Sequence, residues 1–102
     1  MAKPQLVILA NRDPEEGLAA LASREEFIRQ LAGSNTAPER AGDDILYGPG
    51  IRLELAPEQD PITQVLLTID DEDIGWMTMM RLAKKFDWKL LDPSTGRELV
   101  PR

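Results

Sequence analysis

Residues 62–91 carry the pattern of a strand, a capped helix and a second strand, and this order limits the folds available to the chain. The segment "ITQVLLTID" places Val65, Leu67 and Ile69 on one side of an extended strand. Four consecutive acids, Asp70–Asp73, end this segment and begin the next. Apolar residues at helical spacing then continue as far as Phe86, and "WKLL" resumes the strand pattern. A helix between two strands predicts that the helix packs on a sheet.

The first part of the chain has the same order of elements. The run "QLVILA" predicts a buried strand over Gln5–Ala10. The sequence "DPEE" then supplies a carboxylate cap, a proline and an acid, so we predict one helix that ends at Gly33. A second capping pair, Ser23 and Glu26, leaves two shorter helices as the alternative.

The middle and the end of the chain are rich in turn residues. The segment "GSNTAPERAGDD", residues 33–44, has the composition of a surface loop, and we predict that it is mobile. After the turn "GPG", Ile51, Leu53 and Leu55 alternate with polar residues, which predicts a strand with one wet face. The sequence "DPSTG" predicts a tight turn before a short edge strand over residues 98–100.

The order strand, helix, strand, strand, helix, strand predicts an α+β fold of the ferredoxin-like split βαβ type. In this sandwich an antiparallel sheet carries two helices on one face. An extra C-terminal hairpin is a further expectation. A length of 102 residues fits a single domain, residues 1–102. The fold hosts enzymes, sensors, RNA binders and assembly modules, so it does not define a function.

Composition removes several chemistries. The chain has no cysteine and no histidine, which excludes disulfides, thiolate nucleophiles, the usual zinc ligands and Ser-His-Asp catalysis. We therefore predict no catalytic residue, no cofactor and no metal site. A net charge of -6 disfavours binding to nucleic acid and to anionic membranes. The apolar runs are shorter than a signal peptide core or a membrane span, so we expect a cytoplasmic protein.

The acidic run Asp70–Asp73 stands where the second helix begins, and capping explains it best because negative charge is favourable at a helix start. Weak binding of Mg²⁺ or Ca²⁺ is the alternative interpretation. A second hypothesis about function follows from it: a small-ligand or metal-dependent carboxylate enzyme or sensor. One of these acids would then act as a base or metal ligand beside Arg52 or Lys89.

The second helix has apolar residues on more than one face. Either Met79 or Met80 would face the sheet with Ala83 and Phe86, and we predict Met80. This leaves Trp76 and Met77 near the helix start. Burial of both under the long loop is the alternative. If they are exposed, aromatic and methionine side chains of this kind are suited to binding a partner.

The first and third strands are apolar on both faces, with Val7, Leu9 and Leu66 on the side away from the helices. Either the terminal hairpin or a partner would cover that side. The prediction from sequence is therefore a small non-catalytic protein-protein interaction or assembly module. It would dock a protein partner, or itself, through an apolar surface built from Val7, Leu9, Leu66, Trp76 and Met77.

Overall fold

The computed structural model describes residues 3–12 and 19–101, which form an α+β fold with one antiparallel sheet of seven strands. The strands are β1 (Gln5–Ala10), β2 (Ala37–Pro38), β3 (Ile45–Gly48), β4 (Ile51–Glu54), β5 (Gln64–Ile69), β6 (Trp88–Leu91) and β7 (Glu98–Leu99). The helices are α1 (Arg24–Ala32) and α2 (Glu72–Phe86). The order across the sheet is β2-β3-β4-β5-β1-β6-β7, so the α+β class is confirmed, but the sheet has more strands than a ferredoxin-like fold.

Two strands that the sequence did not predict, β2 and β3, lie at one edge of the sheet. β3 forms a hairpin with β4 through Pro49 and Gly50. β2 lies inside the segment expected to be a mobile loop, and it pairs with β3. Thr36 in that segment is completely buried, and its N–H donates to the Leu31 carbonyl oxygen at 2.9 Å. Mobility of the segment 33–44 stays a prediction, and residues 39–43 within it are all exposed.

Helix α1 is shorter than expected. It begins directly after its N-cap Ser23, whose side chain accepts a hydrogen bond from the Glu26 N–H at 3.2 Å. A single long helix is wrong over residues 19–23, because the backbone there pairs with Ile62. The earlier cap expected at residues 13–16 lies outside the described residues.

Helix α2 begins where the sequence indicated. Its N-cap is Asp71, whose carboxylate accepts a hydrogen bond from the Asp73 N–H at 2.9 Å. Met79 and Ala83 are completely buried, whereas Met80, which we expected to face the sheet, is 40% exposed. The helix is therefore rotated so that Met79, and not its neighbour, meets the strands.

The core lies between the two helices and one side of the sheet, which we call the covered face. Its strand residues alternate along the chain, and all are buried: Leu6, Ile8, Leu46, Ile51, Leu53, Val65, Leu67, Ile69, Trp88 and Leu90. Trp88 joins the two helices to the sheet, since it stacks on Phe27 of α1 and on Phe86 of α2, with ring centroids 6.2 and 5.6 Å away. The opposite side is the open face.

The hairpin between β3 and β4 fixes the start of α2. The Gly50 carbonyl oxygen accepts hydrogen bonds from the N–H groups of Asp70 and Asp71, at 2.8 and 3.1 Å. A Cβ atom on Gly75 would lie only 2.5 Å from that same oxygen. Because the two backbones touch, the hairpin sets the position of the first turn of α2 and hence of Trp76.

Candidate protein-docking surfaces

Three large apolar side chains lie together on the outer side of α2, and we call them the helix surface. Trp76 is 38%, Met77 73% and Met80 40% exposed. They are neighbours because residues three and four positions apart share one side of a helix. An aromatic ring beside two flexible thioethers adapts to partners of different shape, which suits this surface to docking.

Trp76 also forms one wall of a shallow cavity of about 340 Å³ at the end of the sheet. The remaining walls come from the start of β1 and from the turn after β6: Lys3, Pro4, Gln5, Leu6, Asp92, Pro93 and Ser94. Hydrogen bonds from the Ser94 hydroxyl and backbone N–H hold the pKa of Asp92 below its ordinary value of 3.8. The cavity thus combines apolar residues, Leu6 and Trp76 among them, with two charged residues, Lys3 and Asp92.

A second apolar surface lies on the open face, and we call it the sheet surface. Val7 of β1 stands opposite Leu66 of β5 on one side and opposite Leu91 of β6 on the other. Leu9 continues the surface two residues further along β1. All four are half-buried, so the sheet surface is less exposed than the helix surface.

Polar residues border the sheet surface on both sides, on the neighbouring strands β4 and β7. Glu54 lies opposite Leu66, and Glu98 lies opposite Leu91. The Lys89 amine contacts the Glu98 carboxylate at 2.9 Å. An apolar centre with a charged rim is the usual anatomy of a protein interface.

The structure divides the five residues expected to form one docking surface. Trp76 and Met77 lie on the helix side of the sheet, whereas Val7, Leu9 and Leu66 lie on the open face. Sequence reasoning missed two members, Met80 and Leu91. No local signal separated Met80 from Met79, because α2 has apolar residues on several sides. The alternation of side chains along β6, by contrast, would have placed Leu91 on the face opposite to that of Leu90.

Two of the acidic residues at the start of α2, Asp70 and Asp71, already have partners within the protein. The Asp70 carboxylate contacts the Lys3 amine at 2.9 Å and the Arg52 guanidinium at 3.4 Å. Asp71 caps the helix, and Lys89, the other cation considered beside these acids, pairs with β7 instead. Within residues 3–12 and 19–101, no three carboxylates come close enough together to hold a metal ion.

The end of α2 is basic. Lys85 donates to the Ser34 hydroxyl at 2.7 Å and lies 5.3 Å from the centre of the Phe86 ring. In the part of the chain that the structure describes, none of the ion pairs includes Arg81, Lys84 or Lys85. These charges are therefore available on the surface, next to the apolar residues of the helix.

Comparison of the chain with protein-family models, with curated proteins and with solved structures gives no match. Neither described helix is long and apolar enough to cross a membrane. The case for a function therefore depends on the surfaces of this chain alone.

Proposed function

We propose that this protein is a non-catalytic protein-protein interaction or assembly module that docks through the helix surface and the sheet surface. One observation carries the proposal: Trp76, Met77 and Met80 form a contiguous exposed apolar group on α2. Covering such side chains gains about 25 cal/mol for each Å² removed from water, so a partner of matching shape is favoured. The cytoplasmic setting expected from the sequence is part of this proposal.

Protein is the partner that the charge distribution favours. The chain carries a net charge of -6, so it repels polyanions at long range. The carboxylate enzyme or sensor has less support, because Asp70 and Asp71 are engaged in an ion-pair network and a helix cap.

We also propose that the architecture is a ferredoxin-like fold with added strands. The central strands have the order β6-β1-β5-β4, and the unit β5-α2-β6 encloses β1 between its two strands. That order supports the proposed split βαβ arrangement. The additions are β2 and β3 at one edge and β7 at the other.

Site-specific photocrosslinking in cells tests the docking role. A photoreactive amino acid placed at Met77 or at Leu66 should give a crosslinked protein product. The same amino acid at Glu25 of α1, which is exposed and outside both surfaces, should not. If positions 77 and 66 give no more product than position 25, the proposed function is wrong.

A further inference from the structure

The outer side of α2 has the spacing of a coiled-coil seam. Asp73, Met77, Met80 and Lys84 follow one another at intervals of four, three and four residues, the repeat that keeps side chains on one line between two helices. All four are exposed. Trp76 lies beside this line and widens its apolar centre.

The charges along this seam are arranged with opposite signs at its ends. Asp73 belongs to the acidic start of α2, and Lys84 belongs to the basic end with Arg81 and Lys85. Among the described residues, neither Asp73 nor Lys84 takes part in an ion pair. The seam is thus acidic, apolar and basic in turn, and it is complementary to a copy of itself that runs in the opposite direction.

We propose that the helix surface binds a second copy of this chain, through antiparallel pairing of the two α2 helices about a two-fold axis. This inference rests on the proposed docking role of the helix surface and names the partner. Parallel pairing would set Asp73 beside Asp73 and Lys84 beside Lys84, whereas antiparallel pairing sets unlike charges together. A two-fold contact uses the same patch on both copies, so one chain supplies both halves of the complementarity.

Residue spacing gives the register of this pair. Asp73 and Lys84 are equally distant from the midpoint between Met77 and Met80, so a two-fold axis at that level sets Asp73 opposite Lys84 of the second copy. Met77 then meets Met80 of the second copy. Trp76 and Met80 lie on the same side of the seam, so Met80 of the second copy also reaches the Trp76 ring, a favourable sulfur-aromatic contact.

The size of the contact predicts a reversible dimer. The seam from Asp73 to Lys84 covers about 16 Å of helix, at 1.5 Å per residue. Such a contact falls in the small class of interfaces, below about 1,200 Å² in total. The dimer should therefore form and dissociate with concentration and weaken as salt screens the paired charges.

Sedimentation equilibrium of the full chain, from about 1 μM to 1 mM, measures the mass directly. We expect the mass to rise from 11.4 kDa towards twice that value. Met77→Glu sets a carboxylate in the apolar centre of both copies and should weaken association by about a hundredfold or more. Glu72→Lys changes charge in the first turn of the same helix but lies off the seam, so this control should keep the dimer.

Charge exchange between two variants tests the register. Asp73→Lys gives a chain with two cations on the seam, and Lys84→Asp gives a chain with two anions. Each alone should associate roughly tenfold more weakly than wild type, because like charges face each other. An equal mixture of the two should recover the dimer, because every facing pair is then of opposite sign.

Two results would overturn this inference: a wild-type chain that is monomeric throughout the concentration range, or a mixture that associates no better than its components. The docking role can survive either result. If position 77 still crosslinks to a different protein, then only the identity of the partner is wrong. If position 77 and position 66 give no product either, then the proposed function fails as well.

Discussion

The covered face and the outer surfaces differ most clearly where two identical residues are neighbours. Leu66 and Leu67 are adjacent on β5, yet Leu67 is completely buried beneath the helices and Leu66 is half-buried on the open face. Met79 and Met80 are adjacent on α2, yet one is completely buried and the other is 40% exposed. Because the residue type is the same within each pair, the position of the side chain relative to the core decides whether it is buried or exposed.

This contrast separates side chains that stabilise the fold from side chains available to a partner. A buried leucine or methionine contributes to the free energy of unfolding of every molecule. An exposed one contributes little to folding and keeps its apolar area for association. Substituting each member of a pair separately, and comparing the two variants, therefore tests whether an apolar residue belongs to the core or to a docking surface.

The two leucines should show the largest difference in the free energy of unfolding that is lost on substitution. Leu67→Ala removes a buried side chain and leaves a cavity, so it should lower the free energy of unfolding by about 2–5 kcal/mol. Leu66→Ala should cost only about 1 kcal/mol, because that side chain is already half in water. Urea unfolding at about 1 μM, where the proposed dimer dissociates, measures both. Equal losses would show that the open face is covered.

The methionine pair repeats the test on the helix. Met79→Ala should cost about 2–4 kcal/mol, in the lower part of the range for a buried methionine because this flexible side chain leaves neighbours that repack. Met80→Ala should change stability by less than about 1 kcal/mol and weaken self-association. A large loss of stability from Met80→Ala, with no change in mass, would assign Met80 to the core.

The two aromatic residues of α2 should show an intermediate difference in the stability that is lost on substitution. Phe86 is half-buried against Trp88, so Phe86→Ala should cost about 2 kcal/mol, below the range for a fully buried ring. Trp76→Ala should cost less than about 1 kcal/mol but weaken the dimer, since aromatic anchors often dominate an interface. Thermal unfolding and sedimentation of the same samples separate the two effects. If both variants lose equal stability, Trp76 is not a docking residue.

Two glycines should show the smallest difference in the stability that is lost on substitution. Gly75→Ala forces a methyl group against the Gly50 carbonyl, which costs about 1–3 kcal/mol, partly offset by about 1 kcal/mol of better helix propensity. Gly33→Ala is the matched control at the end of α1, where φ is -67° and the nearest atom is 3.4 Å from the added Cβ. Its effect should stay within about 0.5 kcal/mol. Chemical denaturation distinguishes them, and a stabilising Gly75→Ala would contradict the close contact between hairpin and helix.

Local sequence signals identified the long elements because each signal acts over a few residues. Asp71 caps α2 as expected, since a carboxylate needs only the N–H groups of the next turn. The alternation in β1 and β5 also predicted which of their residues face the core. By contrast, β2 has only two residues and depends on pairing with β3, so no local pattern marks it.

The candidate surfaces were predicted in part. Trp76 and Met77 are exposed as the docking hypothesis requires, but Met80 was assigned to the wrong side of α2. A helix with apolar residues on several sides has no single stripe from which its rotation follows. The close contact of Gly75 with Gly50 favours one rotation, and that contact joins residues that are distant in the chain.

The sequence by itself determined the α+β class, the cap and extent of α2, and the absence of cysteine and histidine chemistry. These follow from residue identity and from spacing over one or two turns. Only the tertiary structure decided that α1 begins at Arg24, that seven strands join one sheet, and which of two adjacent leucines or methionines is buried. Those outcomes depend on pairings between segments that are distant in the chain, such as Ala22 with Ile62. Such pairings stabilise the protein only once the whole core has assembled, so no local sequence pattern predicts them.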